Sequence, residues 1–316
     1  MKRLLPLFSC LALLPLVGCD LAEDDFQPEV VVEAFLVASE RLPTIRLSTT
    51  APIGAAYSFE AYALSGAEVE LVLLSDEPGA DDEEAVFFYE EQVGLPGRDE
   101  FPGNYVPLVE DRATARVLPG RAYRLVVRVP DRPDLVPAGE AVRAETVVPD
   151  TFRIVAPPPD TIRYAIAEPA PAIDVTRSVN PDRQGLFVFN IEALAPDEYG
   201  LTPTIASLIE DTDDVGPEDF VQTSSPVLNE ENYEEIAPGV LRLRVPWFAI
   251  AFYGPNRLSA NALDDALFDY LRSRDAQFNP TTLSPGEIQR VLSNVENGAG
   301  VFGSLARVRT SVFIAE

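Results

Sequence analysis

Histidine is absent from this sequence, and Lys2 is its only lysine. Cysteine is confined to Cys10 and Cys19, and methionine to Met1. A chain without imidazole or an available amine offers no Ser-His, Cys-His or Ser-Lys pair and no Schiff-base lysine. Zinc, haem and iron–sulfur centres built on His or Cys are excluded with them. So are Walker A phosphate loops, which need a lysine downstream of the leader. What survives is carboxylate, tyrosine, serine and arginine chemistry, and oxygen-ligated ions such as Ca²⁺. Cations of any kind are scarce: 24 Lys and Arg face 51 Asp and Glu, for a formal charge of −27. A field of that sign repels nucleic acid and anionic lipid surfaces, so neither is expected as an electrostatic partner.

The rare residue types gather at the N-terminus. Met1-Lys2-Arg3 precede an apolar run from Leu4 to Val17, which closes on Leu16-Val17-Gly18-Cys19. Basic residues, a short apolar core and a small residue before a cysteine describe a bacterial signal peptide of the lipoprotein kind, here residues 1–18. In that reading the chain is cut before Cys19, whose thiol is diacylated with palmitate-type chains and ties the protein to a membrane. The apolar run is too short for the ~20 residues of a transmembrane helix. The plainer alternative is a secretory leader with a chance cysteine; the four positions and the upstream charge together favour lipidation. Loss of Lys2 and Arg3 takes the formal charge from −27 to −29. It also removes Cys10, which leaves no pair of thiols for a disulfide. Arginine used in place of lysine fits a GC-rich genome or a saline habitat, where a dense carboxylate surface stays hydrated and screened.

The remainder is long enough for two domains, and its 47% hydrophobic content is that of a folded protein. Its 29 prolines exceed the usual ~5% and favour turns and short strands over long helices. An acidic tether, 19–26, leads into strand-like segments: Val30 to Val37, Thr44 to Thr49, Glu68 to Leu74, Tyr123 to Val129 and Val142 to Val148. Turn signals at Pro96-Gly97, Pro102-Gly103 and Pro119-Gly120 separate them. This predicts an all-β fold with an immunoglobulin-like or transthyretin-like sandwich over 27–149. Pro149 and Pro157-Pro158-Pro159 mark the expected boundary, with one strand-like segment, Thr151 to Ala156, between them. A second β-rich domain, 150–316, is expected to hold strands at Leu186 to Ala193, Val240 to Val245, Trp247 to Tyr253 and Val308 to Ile314. Leu258, Ala262, Leu263, Ala266, Leu267, Tyr270 and Leu271 fall at helical spacing, which predicts one helix over about 259–274, capped by Ser259 or Asn261.

Several of these stretches resemble a family of bacterial lipoproteins known as DUF4249. Pro28-Glu29-Val30-Val31-Val32-Glu33-Ala34-Phe35 is similar to the family's opening strand. Leu118-Pro119-Gly120-Arg121-Ala122-Tyr123-Arg124-Leu125 resembles its Pro-Gly-x-x-Tyr-x-Leu turn, a motif widespread in extracellular β-sandwiches. The helix with Phe268, Tyr270, Leu271 and Arg272 is similar to its Tyr-rich helix. Ser293 to Gly303, reading Ser-Asn-Val-Glu-Asn-Gly-Ala-Gly-Val-Phe-Gly, matches its C-terminal signature and is the most specific of the four. The acidic insertion Asp81-Asp82-Glu83-Glu84 departs from the pattern and reads as a loop tip. The resemblance implies an outer-membrane lipoprotein, lipid-anchored through Cys19 and acting beside a TonB-dependent, SusC-like transporter. It implies no enzymatic activity, no catalytic residues and no cofactor. In such lineages an acidic stretch after the lipid cysteine, here Asp20 to Asp25, resembles a surface-export tether.

Other constellations are weighed against ordinary structural roles. Asn294 to Gly300 suits a binding loop, because glycine admits close backbone approach, but Asn-Gly turn chemistry accounts for it as well. Asp211-Thr212-Asp213-Asp214-Val215-Gly216 has Asp and Gly at calcium-loop positions, yet Val215 and Gln222 stand where ligands are required, so no metal site is expected. Trp247, Phe248, Phe252 and Tyr253 suit either sugar stacking or a sandwich core, and the core is the expectation. A binding or accessory module of the envelope is the leading expectation. A structural or adhesive surface protein stands second. A carboxylate-only glycosidase stands third; it requires an acid of raised pKa in a cleft.

Overall fold

Alternation along the chain decides most of the strands. In β1 (Val30–Val37), Val30, Val32, Ala34 and Leu36 are buried while the residues between them are half-buried, the period-two pattern of a strand with two unlike faces. The computed structural model describes residues 26–52, 54–76, 83–93, 101–108, 115–178, 185–211, 215–228, 233–278 and 291–316, without the side chains of 275–278. Residues 1–18, Cys19, most of the tether, Asp81-Asp82, Pro96-Gly97 and residues 212–214 lie outside the described residues.

The strands that follow are β2 (Ile45–Thr49), β3 (Glu68–Leu74), β4 (Glu83–Gln92), β5 (Phe101–Pro107), β6 (Ala122–Arg128) and β7 (Val142–Val147). A one-turn helix α1 (Phe59–Tyr62) precedes β3, capped by the Ser58 hydroxyl, which accepts from Ala61 N at 3.2 Å. Then come β8 (Ile154–Ala156), β9 (Thr161–Arg163), β10 (Ala172–Thr176) and β11 (Leu186–Ala193), the helix α2 (Pro203–Glu210), and β12 (Gln222–Ser224), β13 (Glu234–Ala237) and β14 (Val240–Arg244). The chain ends with β15 (Gly254–Leu263), the helix α3 (Asp265–Phe278), β16 (Val295–Glu296) and the long β17 (Ala299–Ala315).

The fold is mostly β, with sandwich-like sheets and helical additions, as the residue patterns predict. A 13-stranded sheet runs β12-β11-β15-β17-β1-β2-β5-β4-β3-β6-β7-β16, with β9 beside the end of β17. A four-stranded sheet, β13-β14-β10-β8, packs its Ile173, Val175, Leu241 and Leu243 into the same core as Phe187, Phe189, Leu258 and Ala260 of the large sheet. Each such aliphatic side chain contributes about 1.5–3 kcal/mol on full burial.

The large sheet crosses the boundary expected near Pro149. β1 pairs with β17 in parallel, Val31 opposite Ala299 through Val37 opposite Leu305, and β7 pairs with β16. β16 turns directly into β17, so the first seven strands roll round until both ends of their order meet β17. Thr146 and Ser304 fasten that seam, their hydroxyls 2.7 Å apart, and Ser304 Oγ donates to Val147 O at 3.1 Å.

Five expectations are corrected. The helix over about 259–274 starts at Asp265, and residues 259–263 belong to β15. β15 lies between β11 and β17, and its Leu258, Ala262 and Leu263 run on at helical spacing into Ala266, Leu267, Tyr270 and Leu271 of α3, which extends the helical pattern back over the strand. Neither Ser259 nor Asn261 caps the helix; Asp264 does, its Oδ1 accepting from Leu267 N at 2.9 Å. Trp247 to Tyr253 is not a strand: Trp247–Ala249 forms a 3₁₀ turn, because Pro246 fixes the entry and removes a ladder donor. Pro102-Gly103 is not a turn but part of β5, where Gly103 (φ +73°) lets Leu47 O approach to 2.5 Å of the place a Cβ would occupy. Glu83 and Glu84 of the supposed loop tip open β4.

Candidate functional site

The C-terminal signature is accounted for by packing. Asn297 takes the left-handed conformation (φ 58°) in the turn between β16 and β17. A Cβ on Gly298 would lie 2.7 Å from Val30 O, and one on Gly300 only 2.0 Å from Val32 O. Both glycines let β17 meet β1. Phe302 is fully buried, and Gly303 makes room for Leu267 of α3. Asn294 completes the arrangement: its amide donates to Glu145 O (2.9 Å) and Phe302 O (2.8 Å) and accepts from Phe302 N (3.1 Å). This stretch is a structural joint between the two ends of the rolled sheet. The Pro119-Gly120 turn is explained in the same way. Gly120 sits at φ +72°, and the buried Tyr123 hydroxyl accepts from Leu118 N at 2.9 Å. Burial pushes the ionisation of Tyr123 up.

The concave polar surface lies elsewhere, on the outer face of β12-β11-β15-β17. Register builds it in rows. Leu263 stands opposite Leu305, Asn261 opposite Arg307, Ser259 opposite Arg309, and Arg257 opposite Ser311. On the other side of β15, Asn190 faces Ser259 and Glu192 faces Arg257, and Ser224 of the edge strand faces Asn190. The opposite face of the same strands carries Phe187, Phe189, Leu258, Ala260 and Ala306, all in the core. Strict alternation therefore commits Asn190, Ser259, Asn261, Arg307 and Arg309 to one outer surface.

A directional chain of hydrogen bonds crosses these four strands. Arg307 Nε donates to Asn261 Oδ1 (2.5 Å), Asn261 Nδ2 to Asn190 Oδ1 (2.7 Å), and Asn190 Nδ2 to Ser224 Oγ (2.6 Å). Asn261, 1% exposed, also donates to Val188 O at 2.9 Å. The chain fixes both amides and holds Arg307 by its Nε at the side of a groove that Arg307 lines. This groove, about 640 Å³, is walled by Glu192, Gln222, Arg257 and Arg309. Arg257 pairs with Glu192 (2.6 Å) and Arg309 with Glu40 (3.1 Å). Among the described residues no carboxylate lies within ion-pairing distance of Arg307. Burial, and secondarily the neighbouring Arg309 charge, pull its guanidinium below the usual arginine value, while Glu40 opposes them.

A second chamber of about 560 Å³ shares Asn190 and Ser224 with the first and is lined by Asn261 as well. Its floor is Val188, Leu263 and Leu305, and α3 roofs it with Leu267 and Leu271. Phe248, 51% exposed, stands at its rim. A third groove of about 610 Å³ lies beyond Phe248, where Asp211 and Asp219 share the wall. Asp219 Oδ2 accepts from Gly216 N at 2.9 Å.

The aromatic cluster of the sequence divides. Phe252 is buried, and Tyr164 meets Trp247 (5.2 Å) and Tyr253 (5.9 Å) edge to face, as core aromatics do. Only Phe248 of the four faces a groove. The carboxyls of Asp174 and Asp134 are held below the ordinary range by hydrogen bonds from Arg242 and Arg132. Sequence reading did not single out Asn190, Asn261, Arg257, Arg307 or Arg309. The signal was present: polar residues at every second position of strands whose other face is apolar.

Residues 19–311 match the profile of a domain of unknown function, DUF4249, and the chain belongs to that family. No curated protein matches the sequence. Among solved structures, the chain is 10% identical to the three N-terminal domains of the outer capsid protein Hoc of bacteriophage RB49, covering 92% of this chain and 71% of that one at a TM-score of 0.19. An ice-binding adhesin of an Antarctic bacterium is 13% identical, covering 91% and 49% at 0.18, and protocadherin gammaB7 is 13% identical, covering 92% and 51% at 0.18. The chain spans about half the length of the last two, and likenesses this slight say nothing of function. Among the described residues no helix is long and apolar enough to cross a membrane.

Proposed function

We propose that this chain is a lipid-anchored binding module of the cell envelope, held at the outer membrane through Cys19, facing the cell surface and working beside a TonB-dependent transporter. The observation that carries the binding part is the groove over Arg307. In a chain of formal charge −27, register gathers three arginines on one concave surface, and a hydrogen-bonded chain through Asn261 and Asn190 orders it. A purely structural surface has no use for a cation held partly buried without a carboxylate partner, since desolvating it costs several kcal/mol. The anchoring part rests on Leu16-Val17-Gly18-Cys19 and on family membership. The acidic segment Asp20 to Asp25 supports export to the outer face.

The transporter association is tested by purifying the native lipoprotein from solubilised membranes and identifying what accompanies it by mass spectrometry. The proposal expects one TonB-dependent β-barrel in near-equal amount. Recovery of the chain with no such barrel, under conditions that preserve a known transporter–lipoprotein complex, would overturn the accessory role.

A further inference from the structure

The two joined chambers differ in chemistry. One end of the shared floor is apolar: Leu305 and Leu263 stand side by side beneath Leu267 of α3. One step along both strands, roughly 7 Å, brings Arg307 and Asn261. A ligand lying along β17 therefore meets hydrocarbon at one end and a guanidinium at the other.

The Nε of Arg307 is already committed to Asn261 Oδ1. Its two outer nitrogens present the planar fork that a carboxylate accepts in bidentate fashion. The neighbouring arginines of the first groove, Arg257 and Arg309, have their own acids, Glu192 and Glu40, so that groove carries a single positive charge in excess. The surrounding field, at −27, disfavours any ligand with more than one negative charge. Phe248 and Leu271 add apolar side chains at the far end, where Arg274 also lines the chamber.

We propose that the groove binds a small monoanionic amphiphile, a carboxylic acid with an aliphatic tail, its carboxylate on Arg307 and its tail in the chamber beneath α3. This rests on the binding-module reading and names the ligand class of that site.

Octanoate is the probe, titrated calorimetrically into the full chain at low ionic strength, with acetate, octan-1-ol and octyl phosphate alongside. Octanoate is expected to bind, with acetate and octan-1-ol each weaker by on the order of tenfold or more, because each lacks one of the two ends. Octyl phosphate is expected to bind less tightly than octanoate. Arg307→Gln should weaken octanoate by on the order of tenfold. Phe248→Asp, a change at an exposed position, should weaken octanoate and leave acetate unchanged. Thermal melting confirms that both variants are folded; should Arg307→Gln fail to fold, Phe248→Asp and the alcohol comparison still decide. Equal binding of octanoate and octan-1-ol, tighter binding of octyl phosphate, or no octanoate binding by the folded protein would each overturn the assignment. None of these outcomes touches co-purification with a transporter, so failure of the ligand class and failure of the envelope role are told apart.

Discussion

Asp264 does three things at once. Its Oδ1 caps α3 through Leu267 N, its Oδ2 meets the Thr146 hydroxyl, and Thr146 in turn meets Ser304. These contacts join α3, β7 and β17 at the seam of the rolled sheet. Removing an N-cap costs about 0.5–2 kcal/mol, and orphaning a buried hydroxyl about 1–3 kcal/mol more. Asp264→Ala is therefore expected to lose about 3 kcal/mol in urea unfolding, and Asp264→Asn, which retains an accepting oxygen, less than half as much. Equal losses would show that the cap is irrelevant. The glycines offer a sharper contrast. Gly120 and Gly300 both have positive φ (+72° and +101°), but a Cβ on Gly120 meets nothing within 4 Å, while one on Gly300 would sit 2.0 Å from Val32 O. Backbone strain alone costs about 1–3 kcal/mol. Gly120→Ala should fall in that range and Gly300→Ala well above it, with the difference visible as a larger drop in melting temperature. Similar drops would mean that β1 and β17 can separate without penalty.

At the scale of elements, β10 and β14 are held by Asp174 opposite Arg242, a two-pronged pair at 2.8 and 2.9 Å. Hydrogen bonds from Arg242 hold the Asp174 carboxyl below its ordinary value, against the opposing effect of burial. A carboxyl whose folded pKa is depressed adds stability above its unfolded value, ~3.9, and that stability is lost as pH falls through the folded value. The gap in urea midpoint between the native chain and Asp174→Asn should be full at pH 6 and shrink steadily below pH 4. A gap that persists unchanged at pH 2.5 would assign the effect to something other than the charge.

Strands with unlike faces were legible in the sequence: β1, β3 and β11 begin and end where alternation or β-branched runs begin and end. β15 was not, because its Leu258, Ala262 and Leu263 run on at helical spacing into the apolar residues of α3 and mask the alternation of Arg257, Ser259 and Asn261. β5 was hidden by Pro102-Gly103, residues that in isolation spell a turn. The candidate site was legible only strand by strand, as polar alternation, and not as an assembled surface. Asn190, Asn261 and Arg307 are separated by dozens of residues, and only strand register makes them neighbours. The C-terminal glycine signature was visible as a motif, yet its role as a joint depends on carbonyls of β1 far away in sequence.

For the whole molecule, electrostatics sets the conditions. A formal charge of −27 repels itself across the fold, and the Debye length falls from ~30 Å at 0.01 M salt to ~3 Å at 1 M. Exposed pairs such as Arg46–Glu33 (2.8 Å) lose strength on screening, but such pairs contribute only about 0–1 kcal/mol each. Relief of repulsion wins, so the melting temperature should rise with sodium chloride into the molar range. A flat or falling curve would mean that the carboxylates are already compensated.

The account stands on a groove carried at the membrane by a lipid on Cys19, and metabolic labelling with palmitate tests that most directly. Label should enter the native chain, which should sediment with the outer membrane and be digested by protease added to intact cells. Cys19→Ser should take up no label and should either leave the membrane or remain uncut. A native chain that takes up no palmitate, or a Cys19→Ser chain that is cleaved and stays in the outer membrane, would contradict the account.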